Sequence, residues 1–358
     1  MHSLFSPLTF NNGKTLKNRF MLAPLTNQQS FVDGTLSDDE YHWLTKRAEG
    51  GFGLTMTCAS HVQAVGQGFP GQLGIFSDEH LPGLTRLAAG IKQHDSLAVV
   101  QLHHAGNRTP ADLIADTPVC PSDDPESGAR ALSNDEVHQL IEDFIQGAIR
   151  AEQAGFDGVE LHGAHGYIIC QFLSPTINQR TDEFGGSTEN RARLLHRIID
   201  GIRERCQPGF ILGVRLSPER FGLAFNEMQQ LAETLMTSNQ IDYLDMSLWD
   251  SFKVPEETDY QDKSLLDWFA ALPRGNTKLF VAGGIKSGAD VQQAMAAGID
   301  GVIIGRSAII HHDFPRQIQA NADFEPLAIP VSRDHLTNEG VTGKFLDYLT
   351  TRFDMVKD

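Results

Sequence analysis

Cysteine is scarce in this chain. The four thiols, Cys58, Cys120, Cys170 and Cys206, lie far apart with no CxxC pair, which leaves no cluster for zinc or an iron-sulfur centre. A disulfide scaffold is excluded too, because a chain of 358 residues buries a core that needs no staples. Positive charge is also in deficit: 29 Lys and Arg face 46 Asp and Glu, a formal charge of -17. Such a field repels phosphate backbones and anionic lipid heads, so neither a nucleic-acid nor a membrane partner is expected. No run approaches the roughly 20 apolar residues of a membrane span, and the opening MHSLFSPLTF lacks a basic region followed by an apolar stretch. The expected location is the cytoplasm.

What is present is an ordinary globular composition, 41% apolar and 21% charged. The length corresponds to two domains of roughly 150 residues or to one large barrel. Short runs rich in apolar and β-branched residues recur at 19–25, 53–59, 98–103, 158–162, 211–216, 243–248, 278–282 and 301–305. Several are apolar on consecutive residues, as in parallel strands covered on both faces. Helical periodicity fills the gaps at about 37–49, 81–93, 134–154, 189–205, 226–237, 264–272, 289–297 and 306–319. Ser37 and Ser133 stand where caps belong, with acidic residues after them, and Gly50, Gly155 and Gly298 close helices. Eight alternations predict an α/β fold, a single (β/α)8 TIM barrel. The rival doubly wound sheet usually opens with a glycine-rich turn after its first strand, and Pro24, Leu25 and Thr26 occupy that place. The loops after strands three and four, about 30 and about 26 residues, are far longer than usual connections. The barrel is expected over residues 1–324, with 325–358 a C-terminal extension packed on the barrel or on a partner subunit.

A catalytic barrel gathers polar residues at the carboxyl ends of its strands. Here strand one ends in Thr26, strand three contains Gln101, strand four ends in His162 and strand five carries Arg215. Strands seven and eight end in Gly283-Gly284 and Gly305-Arg306. Bare backbone and a helix N-terminus beside an arginine make a phosphate cradle, the usual use of these two loops in barrels. Tight turning alone explains the glycines but does not require Arg306. His162 and His165 are three apart, and a metal there lacks an obvious third ligand. Beside Tyr167 they suit another task, polarising a carbonyl or nitro oxygen while the phenol delivers a proton.

The motifs APLT (23–26), QLHHAGN (101–107) and GVELHGAHGYIICQFLSPTINQRTDEFGGSTENRARLL (158–195) resemble the Old Yellow Enzyme family of FMN-dependent ene-reductases. GVRLSP around Arg215, AGGI (282–285) and IIGRSAII (303–310) complete the set. The resemblance implies noncovalent FMN and NADH or NADPH as reductant. It further implies that Ala23, Pro24, Leu25 and Thr26 line the isoalloxazine, with the Thr26 hydroxyl near O4 and Ala59 close by. Gln101 would bond the pyrimidine edge, Arg215 would stand near N1 and O2, and Gly283, Gly284, Gly305 and Arg306 would hold the phosphate. His162 and His165 would bind the oxygen of a small electrophilic substrate, and Tyr167 would protonate its α carbon. One branch of the family carries cysteine in place of Thr26, and many members carry tryptophan and arginine where QLHHAGN has its first histidine and its asparagine. The implied activity is NAD(P)H-dependent reduction of activated alkenes (enones, enals, nitroalkenes). Two readings stay open beside it: reduction of nitro compounds, nitrate esters or quinones, and a flavin-binding redox sensor. A homo-oligomer is left open: in one branch of the family an arginine near the chain end reaches the neighbouring subunit's site, and Arg352 in FLDYLTTRF stands in a comparable place. The alternative, which the sequence favours, is a helix packed on its own barrel with Arg352 solvated.

Overall fold

The computed structural model describes residues 4–357. Eight parallel strands pair in chain order and close into a barrel: β1 (Phe20–Leu22), β2 (Leu54–His61), β3 (Leu97–His103), β4 (Gly158–Gly163), β5 (Ile211–Leu216), β6 (Tyr243–Ser247), β7 (Lys278–Ala282) and β8 (Gly301–Ile304). Pairing of Ile303 with Met21 brings β8 against β1 and removes both sheet edges. That closure excludes the open doubly wound sheet. The strands are buried on both faces, which explains their unbroken apolar runs.

Two apolar layers hold the barrel. Outward side chains meet the helices α1 (Asp38–Glu49), α2 (Leu81–Lys92), α3 (Asn134–Gln153), α4 (Thr188–Arg205), α5 (Phe225–Thr237), α6 (Leu265–Ala270) and α7 (Gly288–Ala296). Inward side chains from Met21, Leu54, Val99, Ile211, Tyr243 and Phe280 form a separate inner cluster. An antiparallel N-terminal hairpin, Leu8–Thr9 with Thr15–Leu16, plugs the floor through Leu8, Phe10 and Leu16. The apolar floor leaves the carboxyl ends of the strands as the open, polar end.

Local chemistry sets the helix ends. Ser37 Oγ accepts from the Glu40 N–H at 3.1 Å, and Ser133 forms a capping box with Glu136. Gly155 and Gly298 take the left-handed conformation, whereas Gly50 does not: its φ is -64 and the left-handed turn falls on Gly51. Gly50 is glycine for space, since a Cβ there would stand 2.0 Å from the His312 carbonyl oxygen. The helix expected over 306–319 is two, α8 (Arg306–Ile310) and α9 (Phe314–Ala320). Pro315 supplies no N–H to bond back across the break and sits instead in the first turn of the second helix. The loop expected after strand four contains a short helix, Ile168–Leu173, whose six residues are all buried.

The C-terminal segment carries α10 (Arg333–Asn338) and α11 (Gly343–Arg352), and Val331–Ser332 pairs with Val356–Lys357. Phe345 meets Trp43 of α1 edge-on with centroids 5.4 Å apart. Beneath this contact lies Arg47, wholly buried and lying 4.3 Å from the Trp43 ring centroid. Its guanidinium donates to the carbonyls of Ala308 at 3.1 Å, Ile309 at 3.1 Å and Glu339 at 2.7 Å. Burial lowers its pKa to about 9, opposed by Glu339, so it remains a cation at neutral pH. One side chain thus ties α1, α8 and the C-terminal segment together. Arg47→Ala leaves buried carbonyls without donors and is expected to cost about 3 kcal/mol in urea unfolding. A loss below about 1 kcal/mol would mean that water takes over these bonds.

Candidate active site

A cavity of about 600 Å³ opens at the carboxyl ends of the strands, within the size range of small-molecule sites. Of the residues singled out in the sequence, Ala23, Pro24, Leu25, His165, Tyr167, Arg215, Gly283, Gly284, Gly305 and Arg306 line it. His162 stands just behind, its ring centroid 5.0 Å from that of His165 and 5.1 Å from that of Tyr167. Thr26, Ala59 and Gln101 are not in the wall. Ala59 and Gln101 pair across β2 and β3 beside a bulge. Thr26 is half-buried in the loop after β1, which Glu40 anchors through Asn27 at 3.0 Å and through Ser30.

The turn after β4 is built for display. His165 has φ +60 and Gly166 φ +71, two left-handed residues in succession that swing Tyr167 back over the barrel mouth. Glycine is required at 166, because a Cβ there would lie 2.8 Å from the Phe221 ring. Gln171 in the following helix donates to the Gly166 carbonyl at 2.8 Å and to Asn107 Oδ1 at 2.7 Å. The strand-three loop and the strand-four turn are thereby locked together.

Opposite, Gly283 has φ +130, and a Cβ on it would stand 2.7 Å from the Trp249 N–H nitrogen. Lys286 and Arg306 flank this bare backbone in the cavity wall. Asp290, the nearest acid in sequence, is spent on the backbone N–H groups of Lys286 and Ser287, at 2.8 and 2.9 Å. Glycine backbone beside two cations suits a phosphate.

Below the mouth lies a charged layer in which Arg215 and Gln101 meet two acids, Glu160 and Asp245, that the sequence did not single out. Arg215 Nε stands 3.1 Å from Asp245 Oδ2, out of line for a hydrogen bond, so both atoms lack a hydrogen-bond partner within the protein. Glu160 accepts from Gln101 Nε2 at 2.8 Å. Burial, reinforced by Asp245, raises the Glu160 pKa to about 8, and burial raises that of Asp245 to about 6 against the pull of Arg215. A buried guanidinium with an unused N–H and a glutamine fixed by a buried acid fit the polar edge of a heterocycle, as the resemblance implies for FMN.

Also missed were His103, which meets the Tyr167 ring edge-on at 4.4 Å, and Arg108, Ser247, Trp249 and Phe353, which line the cavity. Ser247 ends β6 and Trp249 follows it, so the position of both at a strand end is the signal in the sequence. Phe353 lies too far along the chain for any local signal. Among the described residues no group of three or more His, Cys, Asp or Glu is arranged to hold a metal ion, and no helix is long and apolar enough to cross a membrane.

The histidines here are neutral. Burial, then neighbouring cationic groups, holds His162, His165 and His103 well below the usual range. Burial lowers His104 to about 3 and His61 to about 4. These groups gain protons only on unfolding, so their contribution to stability is present above pH 6.5 and is lost as the pH falls. Glu160 and Asp245 act oppositely, holding protons in the fold that the unfolded chain releases above its ordinary carboxyl pKa. Five buried histidines outnumber the three buried carboxyls shifted upward, Glu160, Asp245 and Glu40, so the histidines set the sign of the pH dependence. The melting temperature is expected to fall between pH 7 and pH 5; a rise would show the carboxyls dominating.

Comparison with known proteins gives the family. Residues 3–325 match the NADH:flavin oxidoreductase / NADH oxidase family. The chain is 37% identical over 318 residues to the probable NADH-dependent flavin oxidoreductase YqiG of Bacillus subtilis (strain 168), covering 86% of this chain and 85% of that one. It is 38% identical over 337 residues to an NADPH dehydrogenase of Bacillus cytotoxicus, covering 90% and 93%. The old yellow enzyme homologue from Zymomonas mobilis superposes with a TM-score of 0.80 at 27% identity, covering 95% of this chain and 98% of that one. The chain therefore belongs to the NADH:flavin oxidoreductase / NADH oxidase family, the Old Yellow Enzyme family, and is an NAD(P)H-dependent FMN oxidoreductase.

Proposed function

We propose that the enzyme reduces activated alkenes, with enones, enals and nitroalkenes as the acceptor class. The observation that carries this reading is the cluster of His165 and Tyr167 on the cavity wall, with His162 packed directly behind them, facing the phosphate cradle. FMN, when bound, supplies a two-electron carrier that takes hydride from NAD(P)H and gives it to the β carbon of the acceptor. Gly283, Gly284, Gly305, Lys286 and Arg306 would hold its phosphate, Gln101 and Arg215 its polar edge, and Ala23 to Thr26 one margin of its ring.

The protein's own contribution is donors aimed at the acceptor oxygen and one proton. Arg215 Nη2 lies 3.3 Å from Ser247 Oγ, and Ser247 Oγ lies 2.7 Å from His165 Nε2. A guanidinium only donates, so Ser247 accepts from Arg215, and its own O–H is left to donate to His165 Nε2 in the arrangement proposed. In that arrangement a neutral His165 carries its proton on Nδ1, the donor to a carbonyl or nitro oxygen. Tyr167 then delivers the proton to the α carbon and regains one from water. Reduction of nitro compounds or quinones uses the same oxygen-binding donors without needing Tyr167.

Three measurements test this. Heat-released cofactor is expected to co-migrate with FMN in chromatography; FAD would contradict the assignment. Tyr167→Phe should slow alkene reduction by about 10²- to 10⁴-fold while flavin reduction by the nicotinamide continues; equal loss in both half-reactions would make Tyr167 structural. Ser247→Ala releases the tautomer of His165 and should weaken binding of 4-hydroxybenzaldehyde, read as a long-wavelength charge-transfer band, by about 10-fold. An unchanged band would remove the relay.

A further inference from the structure

The cavity is cationic in an anionic protein. Its wall includes Arg108, Arg215, Lys286 and Arg306 and contains no Asp or Glu, although acids outnumber bases by 46 to 29 in the chain. Three of these cations have an assignment in the reading above. Lys286 and Arg306 match the charge of a phosphate, and Arg215 is paired with Asp245. Arg108 is left over.

Its placement is specific. Arg108 ends a short 3-10 turn, Gly106–Arg108, just after β3. Its Cζ lies 4.8 Å from the Tyr167 ring centroid, and Nη1 donates to the carbonyl of His165. The left-handed conformation of His165 turns that carbonyl outward to meet it. One bond to a neutral oxygen uses one of five guanidinium donors, so the charge and the remaining N–H groups stay available over the ring of the proposed proton donor. The other arginine near the mouth contrasts with it: Arg220 lies 5.0 Å from the Trp249 ring centroid, but Glu256 neutralises it at 2.8 Å.

We infer that Arg108 selects acceptors bearing a carboxylate, so that the physiological substrate is an anionic activated alkene. The inference rests on the alkene-reductase reading and names its substrate class. The acceptor's carbonyl meets the histidine donors while its carboxylate meets the Arg108 fork, placing the double bond between the flavin site and Tyr167. For 4-oxo-2-pentenoate the balance is one hydride from NAD(P)H to the β carbon and one proton through Tyr167 to the α carbon, yielding 4-oxopentanoate and NAD(P)+. The carboxylate is unchanged and serves only as a handle.

The test compares acid with ester on the FMN-loaded enzyme. Binding of 4-hydroxybenzoate and of its methyl ester is titrated by the flavin absorbance change, which needs no turnover, and kcat/KM is measured for 4-oxo-2-pentenoate and its methyl ester. Wild type is expected to favour the acid in both assays by about 10- to 100-fold, the range of a charge-assisted hydrogen bond. Arg108→Gln should collapse that ratio, and Arg108→Lys should keep part of it. Equal losses for acid and ester would make Arg108 a clamp on the His165 turn and overturn the inference, as would no acid preference in wild type, or one that survives Arg108→Gln. A change confined to the KM for NADH or NADPH would assign the cation to the reductant's phosphates and likewise overturn it. Acid-selective binding without turnover of either alkene would instead retain the anion site and defeat the alkene-reductase reading.

Discussion

A closed eight-stranded barrel has little spare interior, so every inward side chain is either packed against its neighbours or exposed to whatever enters from the open end. Here the N-terminal hairpin fills the floor with Leu8, Phe10 and Leu16. That leaves Gln101, Glu160, Arg215 and Asp245, all buried, as a polar layer between the apolar floor and the cavity. Strand register places them: Gln101 is paired with Glu160, and Arg215 with Asp245. A slip of one residue in any of these strands would turn its polar side chain toward the helices. The register of the barrel and the layout of the site are therefore the same constraint.

The electrostatics of the layer follow from its charge count. One guanidinium faces two carboxyls, and burial raises both acids, so Glu160 holds its proton and Arg215 keeps a single anionic partner. The resulting layer is close to neutral, which a low-dielectric interior tolerates. The histidines above it are denied protons by burial and by Arg215 and Arg108. They are consequently neutral hydrogen-bond donors, and the cationic character of the cavity rests on arginine and lysine alone.

Much of this was legible in the sequence, for a physical reason. Strands covered on both faces must be apolar on consecutive residues, and helices between them must alternate, so all eight strand positions could be read from composition. Strand-end residues converge whatever the loop lengths, which is why His165, Tyr167, Arg215 and Gly305 meet although they are distant in the chain. Asp245 was hidden because an acid inside an apolar run looks like an interruption until its partner across the sheet is known. The break between α8 and α9 escaped because apolar periodicity runs through Pro315, while the missing N–H at that residue decides the outcome. Phe353 was illegible on any local criterion, since it reaches the cavity only through the packing of the C-terminal segment on Trp43 and Arg47.

The net charge of the chain bears on how ligands arrive. A surface carrying -17 repels an anion at long range, but at physiological salt that repulsion fades over roughly 8 Å. Within the cleft, low-dielectric walls reduce screening and the nearest fixed charges dominate. The wall offers cations at both ends, Lys286 and Arg306 beside the glycine cradle and Arg108 beside Tyr167. An anion must reach these groups before it gains from them, so the negative exterior works against indiscriminate capture of small anions while the interior rewards one that fits. Selectivity for charge in such a protein comes from position inside the barrel mouth and not from the field of the whole molecule.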